Sequence, residues 1–201
     1  MAKSFPVSPS SLYDRRRCSH RERKWKVVAV AREDELIEQI KNGRRECLDE
    51  LVEIYYPAIL RYCLWHMPDR ESAMDAAQET FLKLVRFLDR YEKRGAFRAF
   101  LYRIAANTCI DLKRRQPQTE NLSEIMCETI SVPEDGYRTA EDRQLLAGAL
   151  THLDNDGREL ILLRYGQELT LREISAVTGL PLRTVQTRLR RAVKVLREAM
   201  R

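Results

Sequence analysis

Arg183, Thr184, Gln186, Thr187 and Arg190 combine side chains that can read a polyanion. Arginine can fork onto guanine or phosphate, glutamine onto adenine, and threonine onto base edges or backbone oxygens. Their spacing puts them on the outward side of a helix whose inward side carries Val185, Leu189, Ala192, Val193 and Leu196. Residues 181–201 hold seven basic side chains and one acid, Glu198. Ahead of them, Thr170 and Glu173 fit a capping box, and Ile174 and Val177 give a first helix its apolar face. Ser175 is small where two helices must approach, Gly179 supplies a turn, and Pro181 fixes φ near the start of the second helix. The pattern predicts a helix-turn-helix that reads duplex DNA. An amphipathic hairpin with a solvated basic face is the plainer alternative, but it would not require the capping box, small residue, glycine and basic helix to arrive in register.

A second constellation lies in residues 83–115. Lys83, Arg86, Arg90, Tyr91, Lys93, Arg94, Phe97, Arg98, Phe100, Tyr102 and Arg103 interleave cations with aromatic rings. Exposed rings stack bases while cations follow the backbone, which is how single-stranded nucleic acid is held. The competing reading makes the rings core. Helical periodicity favours core for Phe97 and leaves Phe100 and Tyr102 open.

Charge is distributed in blocks around a formal net of +6. Residues 1–32 hold 9 basic and 2 acidic side chains, and residues 33–82 hold 5 and 12. Residues 83–115 hold 10 and 3, residues 116–157 hold 2 and 9, and residues 158–201 hold 10 and 4. Two basic blocks separated by an acidic one suggest two places where a polyanion docks. The acidic, amphipathic block 33–82 suits contact with protein.

Other chemistries find little support. The sequence offers no Gly-rich phosphate loop, no clustered metal-ligand carboxylates and no nucleophile–base motif. The expectation is a non-enzyme with no catalytic residues, no metal and no cofactor. Cys18, Cys47, Cys63, Cys109 and Cys127 are odd in number, scattered and free of CxxC spacing, so free thiols are expected. Cys18 and His20 alone do not make a metal site. No apolar run approaches the ~20 residues of a membrane span. The N-terminus lacks the apolar core of a secretory signal, so a cytoplasmic protein is expected.

The elements that must position these residues are helices. Leu36, Ile37 and Ile40 form a short stripe that Gly43 stops. A next helix carries Leu48, Val52, Tyr55, Ile59 and Cys63 inward, with Pro57 expected to kink it. Met67-Pro68-Asp69 is a break. A third helix spans about 71–88, with Met74, Ala77, Phe81, Leu84 and Leu88 on its inner face. After a polar loop over 89–96, a fourth runs from Phe97 to about Arg115, with Phe97, Leu101, Ile104, Thr108 and Leu112 inward. Leu145, Leu146, Ala149, Leu150 and Leu153 mark another helix, and Leu160, Ile161 and Leu163 the last before the helix-turn-helix. No segment alternates with period two. The expected fold is all-α, two small helical domains joined by a flexible linker. The expected divisions are a basic, disordered tail at 1–32, a helical domain at 33–115, an acidic linker at 116–138 containing Pro117, Pro133 and Gly136, and a helix-turn-helix domain at 139–201.

The strings MDAAQETFLKL (74–84), GAFRAFLYRIAANTCIDLKRR (95–115) and LDNDGRELILLRYGQELTLREISAVTGLPLRTVQTRLRRAVKVLRE (153–198) resemble bacterial sigma factors of the small, two-domain extracytoplasmic-function type. The resemblance runs from about Glu33 to the C-terminus in unbroken order. It implies a first domain that binds core RNA polymerase and opens the minus-ten element, and a second that binds the minus-thirty-five element as duplex. It implies that Asp75, Gln78 and Glu79 dock on the β′ coiled coil, and that Tyr91–Ala96, with Lys93 and Arg94, is the loop that captures a flipped base. Arg98, Arg103, Asn107, Asp111, Arg114 and Arg115 would serve the minus-ten element. Arg183, Thr184, Gln186, Thr187 and Arg190 would face the minus-thirty-five groove. The implied partners are core RNA polymerase (β′ coiled coil and β flap), promoter DNA and an anti-sigma factor. The sequence departs from the family pattern at Phe100, where Trp is usual, at Asp154, where Pro is common, at Pro181, where a Ser/Thr cap is usual, and at Arg183, where a small residue is common. The alternative from another class is a stand-alone helix-turn-helix transcription regulator that uses its first domain to dimerise or sense.

Overall fold

A computed structural model describes residues 32–92, 96–115, 146 and 148–200. The expected tail and acidic linker lie, apart from Arg32, outside the described residues. Helix α1 occupies residues 32–41 and buries Leu36 and Ile37. Gly43, at φ +90°, ends its last turn. Helix α2 (Glu46–His66) continues through Pro57 as one element. Its buried face is Leu51, Tyr55, Ile59, Tyr62 and Cys63. Leu51 and Tyr62 are thus core residues, whereas Leu48 and Val52, expected inward, are only half-buried.

Asp69 caps helix α3 (Arg70–Phe87) by accepting the Ser72 N–H at 2.7 Å, and the Ser72 hydroxyl at 2.9 Å. Both bonds hold the Asp69 carboxyl below its ordinary range. Ala73, Ala76, Ala77, Thr80, Phe81 and Leu84 face the core. Three alanines on that face let α3 approach its neighbours closely. The expectation for Met74 is corrected: it points outward, at 38% exposure. A short 3₁₀ turn, Leu88–Arg90, precedes helix α4 (Phe97–Arg115). Helix α4 packs on both α2 and α3. Rings cement these helices: Phe97 meets Tyr55 edge-on at 5.3 Å and Tyr91 at 5.9 Å, and Tyr62 meets Tyr102 at 5.5 Å. Phe97 and Tyr102 are buried, and Phe100 is half-buried against Tyr91. Buried Glu33 accepts the Tyr55 hydroxyl, and burial raises its carboxyl above the usual range despite that bond.

In the second domain a helical turn at 148–151 leads into helix α5 (Asn155–Ile161). Asp154, one of the departures from the family pattern, is its N-cap and accepts the Gly157 N–H at 2.8 Å. A Cβ at Gly157 would fall 2.6 Å from that same Asp154 oxygen, so cap and glycine require one another. A π-helical turn, Leu162–Gly166, follows. Helix α6 (Leu171–Thr178) opens with both halves of the Thr170/Glu173 capping box and ends at Gly179, whose φ is +72°. Ser175 does more than leave room: its hydroxyl donates to the Leu180 carbonyl at 2.6 Å and closes the turn. Pro181 is the N-cap of helix α7 (Leu182–Ala199), which buries Val185, Leu189, Ala192 and Val193. Among the described residues every regular element is helical and none is a strand.

The two expected helical domains also touch one another. Helix α6 packs against α4, so the two domains share a contact.

Candidate nucleic-acid and polymerase interfaces

On α3 the side opposite the alanine-lined core presents Met74, Gln78, Leu82 and Val85 at helical spacing. Leu82 is 55% exposed and Val85 46%. Asp75 is exposed beside this stripe, and Glu79 is half-buried, with Lys83 Nζ 4.0 Å from its carboxylate. The helix therefore has two apolar faces, and among the described residues only the alanine-lined one is buried. Sequence periodicity found the acidic flank and missed Leu82 and Val85, whose signal is a second apolar stripe out of phase with the first.

On α4, Arg103, Asn107, Ile110 and Arg114 share one exposed face at i, i+4, i+7 and i+11. Ile110, at 48% exposure, sits among polar groups that can reach phosphates and base edges. It too was missed, because an isolated apolar residue on a basic face breaks no period. Arg115 is exposed beyond this face. Asp111 is turned toward α3, where Lys83 Nζ lies 3.3 Å from its carboxylate.

The loop before α4 is anchored on its near side. Lys41 donates to the carbonyls of Asp89 (3.4 Å) and Tyr91, tying the loop's start to α1. Tyr91 is buried, with its ring 5.1 Å from Phe100, and its hydroxyl accepts the Ala96 N–H at 3.2 Å. Burial pushes the Tyr91 hydroxyl up to about 12. Tyr91 is therefore a pillar that closes the loop across its base. Lys93 and Arg94 lie outside the described residues. Arg98 points to the second domain, where Nη2 donates to the Gln167 carbonyl at 2.6 Å.

On α7, Arg183, Thr187 and Arg190 are exposed and Thr184 and Gln186 half-buried. The Thr187 hydroxyl is turned back to the Arg183 carbonyl at 3.0 Å. Arg188, next along the helix, pairs with Asp156 of α5 and steadies α7 against the domain. The five candidates thus share one side of a helix fixed by its buried face.

Among the described residues no group of three or more His, Cys, Asp or Glu side chains could hold a metal ion. Nor is any described helix long and apolar enough to cross a membrane. Cys47, Cys63 and Cys109 are free thiols.

Two family models match the chain. Residues 51–118 match the family model for sigma-70 region 2, and residues 143–196 the model for sigma-70 region 4. The chain is 30% identical to the extracytoplasmic-function (ECF) RNA polymerase sigma factor SigW of Bacillus subtilis, over 82% of this chain and 95% of that one. It is 28% identical to the RNA polymerase sigma-H factor of Pseudomonas aeruginosa, over 87% and 96%. It is 30% identical to the ECF RNA polymerase sigma-E factor of Escherichia coli K12, over 78% and 88%. Among solved structures it resembles CnrH in complex with the cytosolic domain of CnrY, with a TM-score of 0.61, 25% identity, and coverage of 81% of this chain and 93% of that one.

Proposed function

From the premise that this chain belongs to the sigma-70 family, as an ECF sigma factor that directs transcription initiation at promoters, we propose how its residues divide that work. The observation that carries the division is the pair of exposed faces on adjacent helices: apolar and acidic on α3, basic and polar on α4.

The α3 face docks on the β′ coiled coil of core RNA polymerase. Met74, Leu82 and Val85 supply the apolar area, and Asp75, Gln78 and Glu79 the orienting rim. The α4 face serves the minus-ten element. Arg103 and Arg114 hold phosphates, Asn107 meets a base edge, and Ile110 meets a thymine methyl or the edge of an opened base step. The loop from Tyr91 to Ala96, which includes Lys93 and Arg94, receives an unstacked base. Arg98, Asp111 and Arg115 act at its margins once the domains separate. Arg183, Thr184, Gln186, Thr187 and Arg190 read the minus-thirty-five element in the major groove. The domains are taken as 33–115 and 139–201, with 116–138 as linker and 1–32 as a basic tail.

The chain works in the cytoplasm, beside its polymerase, as a specificity subunit and not as an enzyme. The β flap is the polymerase surface proposed for the second domain. An anti-sigma factor is the proposed regulator, because the similar CnrH is held in a complex with the cytosolic domain of CnrY. Transcription with purified core polymerase tests the reading. Addition of this chain should yield transcripts from discrete start points that share minus-ten and minus-thirty-five sequences. A stand-alone regulator would bind duplex DNA and give none.

A further inference from the structure

Helix α1 lies antiparallel along α2. Near its end, Gln39 accepts a hydrogen bond from Cys47 Sγ at 3.0 Å, and at its start Glu33 accepts the Tyr55 hydroxyl. Arg32, the first residue of α1, donates to the Glu50 carboxylate through Nη2 and through Nε, the latter at 3.1 Å. The chain ahead of Arg32 therefore joins α1 at the level of the α2 turn between Glu50 and Tyr55.

That turn carries an exposed face. Ile54 is 49% exposed, and Pro57, almost one turn further on, is exposed too. Glu46, Asp49 and Glu53 are exposed at i, i+3 and i+7 along the same side, with half-buried Glu50 beside them. From Glu46 to Pro57 the sequence has four acids and no lysine or arginine. The face is thus an apolar centre with an acidic rim, about 17 Å long.

Residues 1–31 lie outside the described residues, and their composition complements this face. Trp25, Val27, Val28 and Val30 make the stretch just before Arg32 apolar. Residues 15–26 hold seven basic side chains and one acid, Glu22. The seven residues from 25 to 31 reach about 23 Å when extended, so Trp25 can reach any part of the face. The segment is tethered at Arg32, which makes its encounter with α2 intramolecular, at roughly millimolar effective concentration. An acidic rim repels nucleic acid and attracts a cationic strand.

We propose that residues 15–31 seat on the outer face of α2 as an intramolecular strap. Trp25 and the valines cover Ile54 and Pro57, and the arginines and lysines pair with Glu46, Asp49 and Glu53. The bonds from Arg32 to Glu50 are the first contact of that series. The strap stands on these contacts, on composition and on reach, and it does not depend on the sigma-factor reading. Seated, its seven cations are held against protein and withheld from DNA, so the segment adds little to non-specific DNA binding.

The test uses the full chain and a carbodiimide, which condenses a lysine amine with a carboxylate in direct contact. Mass spectrometry of the digested product locates the bonds. At low salt Lys24 and Lys26 should join Glu46, Asp49 or Glu53 within one chain. In about 0.5 M salt the yield should fall about fivefold or more, because screening then acts within a few ångströms. Trp25→Ser keeps every reacting group and removes the largest apolar contact, so it should lower the yield about threefold or more. A short random duplex added at low salt should leave the bonds in place. Bonds scattered over the acids of other helices, or formed only between two copies, would overturn the strap. So would a yield that salt or Trp25→Ser leaves unmoved, or one that the duplex abolishes, since DNA would then be the segment's occupant.

Discussion

The sulfurs of Cys63 on α2 and Cys109 on α4 lie 3.8 Å apart, 46 residues apart in the chain, and both are buried. The hydrogen bond between them and the surrounding burial push the Cys63 thiol well above its usual range. Because both sulfurs are buried, both should resist alkylation in the native protein at neutral pH and react only when the domain unfolds, whereas half-buried Cys47 reacts faster. Mass spectrometry after a timed iodoacetamide pulse checks this. Cys63→Ala should cost about 1–2 kcal/mol in a urea melt, mostly through the space it leaves.

Leu82 tests the outer face of α3. Leu82→Arg places charge on a mostly exposed side of α3, so stability should change by less than about 0.5 kcal/mol. Core polymerase affinity should fall about 10-fold or more, since an apolar contact becomes a desolvated charge. Titration with core polymerase, alongside a thermal melt, separates the two effects. Equal affinity would remove this face from the polymerase contact.

Arg183 tests base reading. Arg183→Ala should weaken minus-thirty-five duplex binding by about 1–3 kcal/mol if the guanidinium meets a base, and selectively at one position. If it meets phosphate, the loss should be uniform and the salt slope shallower. Binding titrations at two salt concentrations with single-position variant duplexes distinguish these outcomes.

Gly179 tests the turn between α6 and α7. At φ +72° a Cβ is strained although the space around it is open. Gly179→Ala should cost about 1 kcal/mol and Gly179→Asn less, read from urea denaturation.

Glu159 sets a pH dependence. Burial opposes its charge, but His66, Tyr62 and Lys113 more than offset this, and its carboxyl lies below the ordinary range. A carboxylate with a lowered native pKa contributes stability above its unfolded value, near 4.5, and loses it as pH falls through the native value. Buried Glu33 works in the opposite sense, its raised carboxyl costing stability as pH rises. Chemical melts across pH 3–6 should show an acid-side loss that Glu159→Gln reduces.

Local grammar was legible in the sequence. Thr170 and Glu173 announced their capping box, Gly179 its turn, and Phe97 its burial, because each depends on neighbours within one or two helical turns. Met74 was misjudged because 3.6-residue periodicity finds an apolar stripe without saying whether it faces core or a partner. Tyr62 and Gln167 went unnoticed because their partners lie 97 and 65 residues away, and nothing local marks a residue for a distant contact. The π-helical turn at Leu162–Gly166 is a backbone bonding pattern that side-chain spacing does not encode. Helices α4 and α7 were read correctly as helical and basic. Which of their cations point outward depended on how α2, α3 and α6 cover them.

The separation of Tyr62 and Tyr102 from Glu159 and Gln167 along the chain also orders events at the ribosome. Each domain is built of helices that meet near sequence neighbours, a topology that folds in microseconds to milliseconds. Roughly 50 residues still have to be added after α4 is complete before Gln167 exists. At 5–20 residues per second this takes about 3–10 s. A nascent chain therefore displays a finished first domain, its tyrosine hydroxyls uncovered, for a time thousands of times longer than that domain needs to fold.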